Sequence, residues 1–326
     1  MTGPAALLHA KARWRWPETL FWLAALACAF LFPSRLLLFN EIAILALFAL
    51  SLDLILGYAG IVSLGHAAFY GMGAYAAGLL AKHGIGDPLI GLAFGGAVAG
   101  LVGFATSFLL LRGSDLTRLM VTLGIALMLF ELANRLDWLT GGADGLQGVT
   151  MGPVLGLFEF DLWGKTAFFY SFTVLFVLFY VARRLVHSPF GLSIRAIKGN
   201  ALRSRAVGVS NAARLVAMYS FSAVYAGIAG ALTAQTTQFV SLEVFDFHRS
   251  ADVMLVLVLG GAGYLYGGLF GAIIFRFMQD WLSSITPHYW QFWIGLVLVV
   301  LVLVGHERIT KGALGALAAI VKRAKR

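Results

Sequence analysis

The sequence predicts an all-α polytopic membrane protein of about 8–10 spans, some of them broken by glycine. Two observations predict it. Hydrophobic residues make up 60% of the 326 and charged residues only 12%, against about 25% charged in ordinary soluble proteins. Mean hydropathy is +0.87. No water-soluble shape of this size hides so much apolar surface, so lipid must be the solvent. A soluble enzyme, a disordered chain and a disulfide scaffold are excluded; the single cysteine, Cys28, forms no internal disulfide.

The elements follow in chain order. Residues 1–17 carry Lys11, Arg13 and Arg15 ahead of an apolar run from Leu20 to Phe32. That pattern resembles a signal peptide, and Ala27-Cys28 a lipoprotein cleavage site, but Ala25 stands where such sites prefer leucine. With so many apolar runs behind it, the segment is read as an uncleaved first span, with Cys28 facing lipid or another helix. The apolar blocks are 18–33, 36–57, 61–82, 88–111, 116–138, 166–185, 213–237, 252–277 and 290–306. The 38 glycines suit close packing of membrane helices.

Two connections are long. The 139–165 loop holds Asp144, Glu159 and Asp161, with Lys165 its one base. The 185–213 loop holds Arg195, Lys198, Arg203 and Arg205 without an acid, and basic residues recur in the 307–326 tail. The positive-inside rule places both termini and the 185–213 loop in the cytoplasm, and the 139–165 loop outside. The net charge of +9 is therefore a topology signal rather than a nucleic-acid footprint.

Parity tests this topology. The blocks from 18–33 to 166–185 are even in number and carry the chain from inside to inside. The remaining 213–237, 252–277 and 290–306 are odd, yet the tail is also inside. One block must hold a further reversal. Block 252–277 is the best choice, because Leu259 to Gly268 reads LGGAGYLYGG, too rich in glycine for a plain helix. The first half has a counterpart in GYAGIVSLGHAAFYGMG at 57–73. Two interrupted segments, one in each half, point to a transport pathway; close helix packing is the alternative use of these glycines.

Enzymatic signatures are missing. Gly164-Lys165-Thr166 resembles the end of a phosphate loop, but Glu159 stands where that loop needs glycine. The histidines lack metal-site spacing and no GxSxG elbow occurs. Neither an enzyme nor a cofactor site is predicted. Asp53 falls near the inner end of the second block, and Glu131 and Arg135 are spaced as a helical pair. In the basic loop, Ile194, Ile197 and Ala201 share one helical face from Leu192 to Val207, Gly208 stops the helix, and Ser210 or Asn211 caps the next. Such a helix lies on anionic lipid or docks into a partner.

These segments together resemble a known family. GYAGIVSLGHAAFYGMGAYAAG at 57–78, LTGGADGLQGV at 139–149, SPFGLSIRAIKGNALRSRAVGV at 188–209 and LVLGGAGYLYGGLFGA at 257–272 resemble, in order, motifs of the permease subunits of bacterial ABC importers for branched-chain amino acids. The run LRGSDLTRLMVTLG at 111–124 and the long outer loop favour the M-type (LivM-like) subunit. The resemblance implies a permease domain over 18–306 in the bacterial inner membrane. It implies an H-type second permease, two cytoplasmic ATPase subunits and an extracytoplasmic substrate-binding protein as partners, and no ATP site in this chain. It implies a substrate pathway at Ser63, Gly65, His66, Gly260, Gly261 and Gly263, with His66 either contacting cargo or merely packing. ATPase coupling falls to Ile194, Ile197, Lys198, Ala201 and Gly208. The chain departs from the family in having no acid in the coupling loop. Amino acids, branched-chain by default, are the implied cargo; urea or short amides are the runner-up, and an ion-driven secondary transporter is the rival of another class.

Overall fold

The computed structural model describes residues 14, 16–111, 113–161 and 163–304. Most of the 1–17 segment and the whole 307–326 tail lie outside the described residues. Among these residues the chain is helical and holds no strand; isolated bridges pair Leu146 with Val240 and Val154 with Phe158.

The centre of the bundle is α2 (Leu36–Asp53), preceded by α1 (Trp16–Leu31). α2 is apolar on every side, as a helix enclosed by other helices must be, and nearly all of it from Ile42 onward is buried. α1 lies against α6 (Lys165–Val186): Trp22 packs edge-on against Phe172, Phe176 and Phe179 with centroids 5.0–5.6 Å apart. Glu18 pairs there with Arg183. Cys28 is exposed on α1.

Past Asp53 the helix loosens into a π turn, Leu54–Tyr58, and then stops. The chain runs without helix to His66 before α3 (Ala67–Lys82) begins. Such backbone survives inside a membrane protein only if protein satisfies it. Here Ile61 N–H reaches Ile55 O at 2.9 Å. Leu64 N–H finds Thr122 Oγ1 at 3.2 Å, and Ala67 N–H finds Ser250 Oγ at 2.9 Å. Those hydroxyls come from α5 (Asp115–Arg135) and α10 (Phe247–Gly260).

α4 (Pro88–Leu110) starts cleanly, with Pro88 at its first position and the Asp87 carboxylate accepting from Leu89 and Ile90 N–H at 2.8 and 3.2 Å. α3, α4 and α9 (Asn211–Thr237) meet backbone to backbone. A Cβ on Gly73 would fall on Gly227, and one on Gly230 on the Tyr70 carbonyl. Small residues at such crossings replace the hydrophobic drive that lipid removes.

Between α6 and α9 the basic loop forms two helices, α7 (Pro189–Gly199) and α8 (Ala201–Ala206), where one was expected over 192–207. Asn200 causes the break. Its backbone is extended, at φ −159, and its side chain caps α8 by accepting from Arg203 N–H at 2.9 Å. Gly208 ends α8 at φ +87, as anticipated.

α10 and α11 (Leu265–Ile285) are bent by 111° across Gly261–Tyr264. A turn of this size carries α11 off at a steep angle to α10, the geometry of a broken span or a re-entrant loop. The break falls inside block 252–277, at the glycine-rich stretch singled out in the sequence. α12 (Trp290–Val304) follows. Among the described residues, five helices are long and apolar enough to cross a membrane, or up to six with the bent pair as one span. The sequence count of about 8–10 also includes α1, α3 and α12, which fall below that length within the described residues. α3, at 16 residues, reaches about 24 Å against about 30 Å of hydrocarbon.

Candidate functional site

Three features concentrate polar chemistry in this apolar chain: the paired glycine breaks, a cavity, and the α7–α8 surface.

The breaks face each other. Gly263 N–H donates to Asp53 Oδ1 at 2.7 Å. A Cβ on Gly57 would land on both the Asp53 carboxylate and the Gly263 amide. Gly261 and Gly263 hold φ of +91 and +87, which glycine alone adopts freely. Gly260 abuts the Gly267 carbonyl, leaving no room for a methyl group. Ser63 and His66 are buried. His66 Nε2 lies 2.8 Å from Ser51 Oγ, and its ring stacks on Phe48 with centroids 5.6 Å apart. Gly65 presses on the Thr122 backbone. Of the six anticipated pathway residues, Ser63, Gly65 and His66 are buried and Gly260, Gly261 and Gly263 partly buried, and none lines the cavity described next.

That cavity, of about 680 Å³, opens at the end of the bundle away from α7–α8 and is lined from α2, α3 and α9–α12. Glu41 and Arg276 form an ion pair in its wall, joining α2 to α11. Tyr70 and Thr233 hydrogen-bond through their hydroxyls, and Asn40 and Asp252 add further polar groups. Arg35, just ahead of α2, pairs with Asp280 of α11 at 2.9 Å on the surface. Asp246 caps α10. Burial pushes its carboxyl up, but hydrogen bonds from the His248 backbone and ring outweigh that and hold it below the usual range. Leu37, Ile44, Phe48 and Phe275 complete the lining. The cavity thus offers both signs of charge beside apolar walls, at a volume suited to a small solute. Glu41, Asp252 and Arg276 were not anticipated. Ionisable residues inside apolar blocks 36–57 and 252–277 were the signal that marks them.

The α7–α8 surface differs from expectation in its orientation. Ile194 and Ile197 are buried in this chain's own core, so the apolar face of α7 anchors the helix to the bundle. The exposed apolar side chains are Leu192, Leu202 and Val207, interspersed with Arg203 and Arg205. Ala201 and Gly208 are exposed. Lys198 reaches inward, its ammonium donating to Gly57 O at 2.6 Å. Glu131 and Arg135 pair with each other at 2.7 Å on an exposed face of α5, away from all three features.

Comparison with known proteins gives these features a context. The family described as branched-chain amino acid transport system / permease component matches residues 34–303. The high-affinity branched-chain amino acid transport system permease protein LivM of Salmonella typhimurium is 26% identical, over 93% of this chain and 77% of the relative. Its counterpart from Escherichia coli K12 is 28% identical, over 78% and 64%. The galactose/methyl galactoside import permease protein MglC of Salmonella typhimurium is also 28% identical, over 64% and 63%. No solved structure matches the chain significantly.

Proposed function

From the premise that this chain belongs to the permease family of branched-chain amino acid transport systems, and so is a multi-pass transmembrane permease of an ABC importer, we propose that it forms half of a pathway for amino acids and docks a cytoplasmic ATPase through α7–α8. The other half is an H-type permease. Two ATPase subunits drive the pair, and a substrate-binding protein delivers cargo from outside. Charge asymmetry supports cytoplasmic termini and a cytoplasmic α7–α8.

The polar cavity carries the reading of cargo. An amino acid is a zwitterion, and a wall holding Glu41 and Arg276 complements both of its charges. The apolar lining suits an aliphatic side chain. Urea, an amide or a sugar needs neither charge. Exposed Leu202 and Val207 among arginines suit an ATPase groove with acidic rims.

Uptake of labelled leucine by proteoliposomes holding the full complex is the test. Glu41→Ala and Arg276→Ala should each cut uptake at least tenfold, the scale of roughly 1.4 kcal/mol or more lost at one charge. Excess isoleucine should compete and urea should not. Unimpaired leucine uptake in both variants removes the cavity from the pathway. Uptake driven by an ion gradient without ATP removes the importer reading itself.

A further inference from the structure

One cluster remains unused by this reading, at the end of the bundle opposite the cavity mouth. Asp53 is completely buried. One of its oxygens accepts from Gly263 N–H at 2.7 Å, and the other, Oδ2, has no hydrogen-bond partner among the described residues. A buried carboxylate left half-satisfied is a poor device for stability alone. Its neighbour Gly57 offers its carbonyl to Lys198 Nζ at 2.6 Å. Lys198 also lies along Gly60, whose Cβ would stand 3.0 Å from the lysine Cγ. The guanidinium of Arg195, one turn earlier on α7, sits 5.1 Å over the Tyr58 ring. Within one small volume, α7 thus grips the π turn of the first break, and the first break grips the turn of the second. π turns inside helices frequently mark functional positions.

We propose that Asp53 and Lys198 are positioning residues of the transport cycle: they tie α7 to both glycine breaks, so that displacing α7 moves the two breaks as one unit. Coupling between distant sites requires an element that both can bias. Here the element is the pair of breaks. Gly57, Gly260 and Gly263 let backbone meet backbone, and the Asp53–Gly263 and Lys198–Gly57 bonds are directional, so neither break can shift without its neighbour following. The inference rests on the reading of α7–α8 as the surface that meets the ATPase.

The experiment uses the reconstituted complex and reads ATP hydrolysed per molecule of leucine moved, with co-purification of the ATPase as the control for assembly. The Lys198 stem lies along Gly60, so Lys198→Met keeps an unbranched stem there and removes only the charged donor. Asp53→Ala removes the acceptor. Each variant should keep its ATPase yet raise the ATP-to-leucine ratio at least about fivefold, within the usual span of coupling effects. The double variant should be no worse than the worse single, because both cut one joint. Lys198→Arg and Asp53→Asn, which retain donor and acceptor, should restore most of the coupling. An unchanged ratio in Lys198→Met, or multiplying effects in the double variant, overturns the proposal. If Asp53→Ala fails to accumulate, Lys198→Met and its arginine rescue decide alone. Leu202→Asp separates the two readings, since it should release the ATPase without touching the joint. If it does not, the docking surface is wrong, and the joint is judged by leucine leak through Lys198→Met in the absence of nucleotide: leak supports it and tightness overturns it.

Discussion

At Gly260 one methyl group decides whether the second break can close, because its Cβ would fall on the Gly267 carbonyl. Gly65 is in the same position against Thr122, whereas Gly124 and Gly295 have nothing within 4 Å. Overpacking of this kind costs roughly 1–3 kcal/mol. Gly65→Ala and Gly260→Ala should therefore lower the melting temperature of the detergent-solubilised chain by about 1–5 °C, with Gly124→Ala close to wild type. Equal losses at all three sites, in a thermal-shift measurement, would show that helix propensity and not close approach is at stake. Glycine density made these breaks legible in the sequence. Which glycine touches which carbonyl was not, since Gly57 and Gly263 meet only after the intervening helices have packed.

At the scale of elements, α7 shows what periodicity does and does not reveal. The apolar face through Ile194 and Ile197 is real, and both side chains are buried. A helical period states that a face is apolar; it does not state whose core receives it. Here the bundle itself receives it, leaving Leu202 and Val207 outside. Ile197→Asp should consequently damage the permease itself, since an unpaired charge would enter its core. Leu202→Asp should spare the fold and weaken ATPase binding. Size-exclusion profiles of the chain alone, beside pull-down of the ATPase, separate the two; a well-folded Ile197→Asp that fails only to bind ATPase would return the docking face to α7. The division at Asn200 was readable as a cap followed by Arg203, but the continuous apolar spacing from Leu192 to Val207 masked it. The cavity was beyond any local pattern, because its wall is assembled from α2, α3 and α9–α12.

For the whole molecule, the charge distribution makes a testable statement about sidedness. In a chain with Cys28 replaced, single cysteines at Leu157 and Arg203 should react with a membrane-impermeant reagent from opposite sides, Leu157 from the periplasm and Arg203 from the cytoplasm. Reversed labelling would invert the topology and detach α7–α8 from any ATPase. Fold class and the two interrupted segments were legible because lipid imposes severe rules on composition; the partnership between the interrupted segments was not, because Asp53 and Gly263 lie 210 residues apart. That separation also sets a birth order. A ribosome adding about 5–20 residues per second leaves Asp53 without Gly263 for roughly 10–40 s. For that interval α2 holds a carboxylate that the bilayer disfavours, and the nascent chain is marked as unfinished. A chain truncated after residue 246 should therefore be cleared faster than the full-length protein in a pulse-chase measurement, and Asp53→Leu should prolong the life of the truncated chain. If the substitution leaves its half-life unchanged, the lone carboxylate is not what the cell's proteases detect.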